Sequence, residues 1–199
     1  AEPRVLLLDE PLSAVDASAR LSLRAELRGH LDAFAGPRLV VTHDAIDAFA
    51  LGHRIAVLEA GRIVQVGSVP EICARPRSRY VADLVGLNML RGTLGGGVLR
   101  LDDGGSLVVP ADFAGRAIAT VHPRAVALYR SRPDGTPRNV FAARITGLES
   151  AGDRVRVRVE GPPPLVAEVT PLAVAELRLG VGGEVWVALK ATEIAAFPA

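Results

Sequence analysis

The run Val5-Leu6-Leu7-Leu8-Asp9-Glu10-Pro11-Leu12-Ser13-Ala14-Val15-Asp16 decides how the first part of this chain is read. An uninterrupted apolar stretch ends in two adjacent carboxylates and a proline. A short continuous apolar run reads as a strand of a parallel sheet covered on both faces, here residues 4–8. The carboxylates then stand at its C-terminal mouth, the end at which open α/β sheets bind ligands. Asp16 is placed to cap a following helix. On that helix Leu23, Leu27, Leu31 and Phe34 form one apolar stripe, and Gly36-Pro37 stops it. Leu39-Val40-Val41-Thr42 reads as a second buried strand running into His43. Asp44 caps a short helix with Ile46, Phe49 and Leu51, closed by Gly52. Strand, helix, strand, helix is the α/β pattern.

Farther along, residues 55–58 and 63–66 read as a hairpin around Glu59-Ala60-Gly61-Arg62. Ser68 and Glu71 have capping-box spacing, with Pro70 in the first turn, and short helices run to about Val85. The character changes at Gly86. Short alternating strands follow, broken by Gly95-Gly96-Gly97 and Asp103-Gly104-Gly105. Over residues 153–160, Arg154, Arg156 and Arg158 face one way as a solvated row, and Val155, Val157 and Val159 the other. A single helix runs from Thr170 until Gly180 ends it, and residues 185–189 form another strand. Trp186 and Phe197 read as core, and His122 as structural. The pattern is that of a small β-barrel or sandwich. Val121-His122-Pro123-Arg124-Ala125-Val126-Ala127-Leu128 is echoed by Leu189-Lys190-Ala191-Thr192-Glu193-Ile194-Ala195-Ala196, which suggests two related β units, 86–130 and 139–198. The predicted fold class is thus a partial α/β core, 1–85, followed by an all-β OB-like domain, 86–199.

Composition limits the function. The 199 residues are 49% apolar, enough for a packed core, with a formal net charge of +1, which argues against a general nucleic-acid binder. No stretch approaches the ~20 apolar residues of a membrane span, and no signal-peptide pattern opens the chain. Cys73 is the only cysteine, which fits a cytosolic setting. Lys190 is the only lysine among 23 basic residues.

The chemistry-bearing residues follow from position. Magnesium is a hard ion that takes oxygen ligands and keeps several waters. Asp9, at a strand mouth, is placed to hold it, and Glu10 beside it to polarise an attacking water. His43 ends the neighbouring strand and is placed for a γ-phosphate and that water. Each feature alone also fits a strand leaving the core and turning.

Together, Leu6-Leu7-Leu8-Asp9-Glu10-Pro11-Leu12-Ser13-Ala14-Val15-Asp16 resembles the Walker B segment and D-loop of ABC transporter ATPases. Val41-Thr42-His43-Asp44 resembles their switch-histidine loop, and Gly61-Arg62-Ile63-Val64-Gln65-Val66-Gly67 the hairpin that follows. The resemblance implies that Asp9 coordinates Mg2+ and that Glu10 is the catalytic carboxylate. It makes His43 the γ-phosphate sensor and has Ser13 and Asp16 cross a dimer interface near ATP. It further implies a homodimer of ATPase subunits on the cytoplasmic face of the membrane. Their partners are permease subunits and, indirectly, an extracytoplasmic solute-binding protein.

No Gly-x-x-x-x-Gly-Lys-Ser/Thr and no Leu-Ser-Gly-Gly-Gln occurs in the chain. In the resembled family both precede the Walker B strand, so the chain reads as truncated at its N-terminus. Alone it is expected neither to bind nor to hydrolyse ATP appreciably, and residues 1–85 are expected to expose apolar surface. The β-rich part resembles the accessory (TOBE, Mop-like) domain of importer ATPases for molybdate, sulfate, iron, polyamines and sugars. Residues 139–198 look closest to the small molybdate-binding fold. Molybdate is a tetrahedral dianion that needs convergent donors. Arg138, Lys190 and Thr192 supply them, with strand alternation turning Glu193 away. The favoured function is the ATP-hydrolysing subunit of a molybdate importer. The alternative is an oxyanion-binding regulatory or dimerisation module without ATPase activity. A DNA-repair ATPase with the same Walker B is disfavoured by the β domain.

Overall fold

In the computed structural model, which describes residues 3–199, Leu6–Asp9 (β1) and Arg38–Val41 (β2) pair in parallel, with Leu7 opposite Leu39 and Asp9 opposite Val41. Ala1 and Glu2 lie outside the described residues. Helix α1 (Ala17–Ala33) connects the two strands. It starts where Asp16 Oδ1 accepts from the Ser18 and Ala19 N–H groups, each at 3.0 Å. Helix α2 (Ala45–Leu51) follows β2 and is capped by Asp44, which accepts from the N–H of Ile46 at 2.8 Å and of Asp47 at 3.1 Å. Leu6, Leu8, Leu27 and Val40 pack on a core of Leu12, Leu31 and Leu51. Arg24 of α1 pairs with Asp47 of α2, a carboxylate that is almost fully buried.

The strand pair departs from the predicted two-sided burial. Leu7 is 69% exposed and Leu39 58%, and Val5 and Val41 are exposed with them. The reason is the alternation of a strand: helices cover one face, so every second residue faces away from them. The strands also sit one or two residues off the predicted spans, and His43 lies two residues beyond β2 instead of at its end. Leu23 leaves the predicted α1 stripe and is exposed. The helix's 17 residues run about 25 Å, whereas a four-residue strand spans about 13 Å and backs only part of it.

Strands β3 (Ile55–Glu59) and β4 (Arg62–Gly67) form a hairpin. Ala60 and Gly61 both have positive φ, 49° and 76°, as a tight turn matching the strand twist requires. Helices α3 (Val69–Ala74) and α4 (Arg79–Leu84) follow. Glu71 Oε2 accepts from the Ser68 N–H at 2.7 Å and from its hydroxyl at 2.9 Å. Ile55, Val57, Ile72 and Val81 form the core here.

Residues 1–85 are one compact unit and 86–199 another. The second unit contains two five-stranded antiparallel sheets. The first is built from β5 (Asn88–Gly95), β6 (Val98–Leu101), β7 (Ser106–Val108) and β8 (Gly115–Val121). The second is built from β10 (Asn139–Ala151), β11 (Arg154–Glu160), β12 (Leu165–Val169) and β13 (Glu184–Leu189). Each group of four leads into a 3₁₀ turn, Pro123–Ala125 or Ala191–Glu193, and then a last strand, β9 (Ala127–Tyr129) or β14 (Ile194–Pro198).

The last strands are exchanged. β9 pairs with β13 in the second sheet, and β14 with β8 in the first. The two registers match residue for residue. Asn88 faces Val121 as Asn139 faces Leu189, and Tyr129 faces Trp186 as Phe197 faces Ile118. One core of residues such as Leu94, Leu99 and Leu107 from the first sheet and Ile145, Val157 and Val187 from the second fills the interior.

Two smaller expectations change in this unit. Helix α5 (Pro171–Glu176) starts at the Thr170 cap but ends before Gly180, because Arg178 takes the left-handed conformation with φ 46°. Trp186 is half-buried on the outward side of β13, since Val185 and Val187 hold the inward positions; the Arg132 guanidinium lies 5.5 Å above its ring. Phe197 is buried as expected.

Candidate functional site

Glu10 leaves β1 with a left-handed backbone, φ 47°. Its N–H donates to the Val41 carbonyl at 2.9 Å, extending the ladder by one bond. Its own carbonyl then accepts from the Ser13 hydroxyl at 2.9 Å and the Ser13 N–H at 3.2 Å, which closes a turn over Pro11. Positive φ is uncommon in a residue with a side chain and is tolerated where the surroundings fix it. Here these backbone bonds fix it, and the carboxylate is brought to the loop after β2.

That carboxylate meets His43. Glu10 Oε1 accepts from the His43 backbone N–H at 2.9 Å and lies 2.7 Å from His43 Nδ1. The hydrogen bond that Glu10 accepts, and then its charge, raise the imidazole pKa above its ordinary value. The imidazole side chain is 80% exposed, so Nε2 remains open to a ligand. Thr42 Oγ1 accepts from the Asp44 N–H at 3.1 Å and shapes the loop that carries His43.

Asp9 ends β1 and is exposed, and among the described residues it enters no ion pair. Ser13 and Asp16 both have local duties. The Ser13 hydroxyl holds the Glu10 turn, and Asp16 caps α1, with the Ser18 hydroxyl and the Ser18 and Ala19 N–H groups depressing its carboxyl. Among the described residues no cluster of three or more His, Cys, Asp or Glu side chains forms a metal cage.

In the β unit, pairing of Asn139 with Leu189 puts Arg138 and Lys190 at the same end of adjacent strands. Thr192 follows in the 3₁₀ turn, and all three are exposed. Neither Arg138 nor Lys190 is in an ion pair among the described residues. Residues 191–193 form a turn instead of continuing a strand, so the alternation expected to turn Glu193 away does not apply. The arginine row of β11 is not simply solvated: Arg158 pairs with Glu149 at 3.2 Å, and Arg156 lies 3.7 Å from the nearly buried Glu168. Glu168 also accepts from Arg124 at 2.6 Å. This contact went unread in the sequence, although a lone acid in an apolar strand opposite an arginine row was a signal for it.

Comparison with known proteins names both parts of the chain. The TOBE domain family model matches residues 135–196. The molybdenum import ATP-binding protein ModC of Mycobacterium tuberculosis is 39% identical, an alignment that takes in 100% of this chain and 56% of that protein. The molybdate/tungstate import ATP-binding protein WtpC of Pyrococcus horikoshii is 31% identical over 99% of this chain and 57% of its own length. The sulfate/thiosulfate import ATP-binding protein CysA 2 of Chromobacterium violaceum is 36% identical over 98% of this chain and 55% of its own length. A solved structure of the cytoplasmic molybdate-binding protein ModG with molybdate bound is 21% identical with a TM-score of 0.49, covering 56% of this chain and 96% of that one.

The chain is thus similar over nearly its whole length to import ATP-binding proteins, and its residues 135–196 match the TOBE domain family. It spans a little over half the length of the curated relatives it matches.

Proposed function

We propose that this chain is the catalytic edge and accessory domain of the ATP-hydrolysing subunit of an ABC importer, with molybdate as the transported ion. The observation that carries the reading is the 2.7 Å contact of Glu10 with His43 at the C-terminal end of a parallel strand pair. Glu10 is the base that orients and polarises the attacking water. His43 holds Glu10 through its backbone N–H and Nδ1 and leaves Nε2 for the γ-phosphate. Asp9 fits a Mg2+ ligand: it is a hard, exposed carboxylate without a competing cation among the described residues, and one or two carboxylates with waters and phosphates suit that ion. Bound there, Mg2+ would neutralise phosphate charge. Ser13 and Asp16 shape the turn and helix start beside this edge.

The phosphate cradle is not among these 199 residues, since they contain no P-loop sequence. It would come from the rest of the parent protein. In the same reading the subunit works as a homodimer at the cytoplasmic face of the membrane, on permease subunits served by an extracytoplasmic binding protein. Among the described residues no helix is long and apolar enough to cross a membrane. Two relatives named for molybdenum or molybdate/tungstate import support the choice of ion.

The test uses the parent protein. Glu10→Gln should retain ATP binding and lose ATP hydrolysis by about 10²-fold or more, as removal of a general base does. Hydrolysis at an unchanged rate would refute the assignment.

A second reading is supported by the uncompensated Arg138 and Lys190 at one strand end: the β unit binds an oxyanion through Arg138, Lys190 and Thr192. If molybdate raises the melting temperature of the 199-residue chain while Mg-ATP does not, this reading gains. If neither does, the β unit has a structural role.

A further inference from the structure

The exchanged strands relate the two 3₁₀ turns by position. Aligning the registers makes Val121 equivalent to Leu189 and Val108 to Val166. His122 then corresponds to Lys190, Arg124 to Thr192, Glu168 to Pro110 and Arg156 to Gly96. Leu87, just before Asn88, corresponds to Arg138.

The two turns differ in charge. At the Pro123 turn, Arg124 Nε donates to Glu168 Oε2 at 2.6 Å, and Arg156 Nε lies 3.7 Å from Oε1. The Glu168 side chain is only 9% exposed. Arg124 chiefly, with Arg156 and His122, holds its carboxyl below the ordinary range. Arg156 Nε is buried and finds no hydrogen-bond acceptor among the described residues, so two carboxylate oxygens do not satisfy all the donors gathered there. At the Lys190 turn, the positions of the carboxylate and its second arginine hold proline and glycine. Among the described residues Arg138 and Lys190 form no ion pair there, and Glu193 of the same turn is exposed and unpaired with either.

We infer that Glu168 is a resident anion that fills the Pro123 turn, so that the β unit takes one external tetrahedral oxyanion, at the Lys190 turn only. This rests on the oxyanion reading of the Lys190 turn given above. An Arg–carboxylate bond is a strong charge-assisted one, and a tethered carboxylate competes without the entropy cost a free ion pays. The pseudo-symmetric pair is thereby reduced to a single site.

Calorimetric titration of the full 199-residue chain with sodium molybdate tests this. The unaltered chain should take one ion, and Glu168→Ala should take two. Adding Arg124→Ala to that variant should remove the gained ion. Pro110→Glu, which transplants the carboxylate, should remove the native ion; if Glu168→Ala fails to fold, this variant decides, and retention of the ion overturns the inference. Two ions on the unaltered chain, or no gain in a folded Glu168→Ala, also overturn it. No ion on the unaltered chain but one on Glu168→Ala would sink the Lys190 reading and leave the Glu168 plug standing.

Discussion

Asn88 and Asn139 each clamp the opposite sheet with the two ends of one amide. Asn139 Oδ1 accepts from the Val108 N–H at 2.7 Å while its Nδ2 donates to the Val108 carbonyl at 3.0 Å. Asn88 treats Val166 the same way, at 2.7 and 2.8 Å. Each side chain thus stands in for the missing neighbour of an edge strand. Asn139 is buried and Asn88 half-buried. Asn139→Ala should therefore destabilise the chain by about 1–3 kcal/mol, and Asn88→Ala by less. Chemical denaturation of the two variants checks the order; equal and negligible losses would mean that water replaces the amides freely.

The Glu10–His43 contact makes this edge sensitive to pH. His43 is raised by its partner, so the pair is fully stabilising below the ordinary imidazole value of about 6.5 and loses that contribution as pH rises through the raised folded value. In an NMR titration of the imidazole, Glu10→Gln should bring the His43 midpoint down. An unmoved midpoint would place the cause elsewhere.

Arg24 and Asp47 join α1 to α2 with little solvent access to either side chain. Arg24→Ala leaves the Asp47 charge buried without its partner, at a cost of about 3–5 kcal/mol. The double variant Arg24→Ala, Asp47→Ala should recover part of the loss, as thermal melts would show.

Gly92 sits where β5 lies against β6, and a Cβ there would fall on the Arg100 carbonyl. Gly95, three residues on, has open space at the same place. Gly92→Ala should cost about 1–3 kcal/mol through overpacking, and Gly95→Ala much less. A comparison of their melting temperatures decides it.

Much of the local structure could be read along the chain. Asp16, Asp44 and Thr170 cap the helices they precede, and Ser68 with Glu71 forms its reciprocal pair. These are signals within three residues of each other. The Asp9-Glu10 edge and His43 were legible too, although the structure gives Glu10, through its left-handed turn, the role of joining them. What escaped is long-range. Asn88 reaches a residue 78 positions away and Asn139 one 31 away, and nothing local marks either partner. Burial of Leu7 and Leu39 was overestimated because an apolar run states what a strand suits, not what lies on its second face.

The exchange of end strands also fixes how the Lys190 turn is wired to the rest of the chain. Lys190 belongs by sequence to the second group of strands, but the strand leaving its turn, β14, is hydrogen-bonded to β8 of the first sheet. β8 is bonded in turn to β5, whose first residue, Asn88, comes three positions after Val85. The Lys190 turn is thus joined through two hydrogen-bonded ladders to β5, without passing through the segment between β9 and β10.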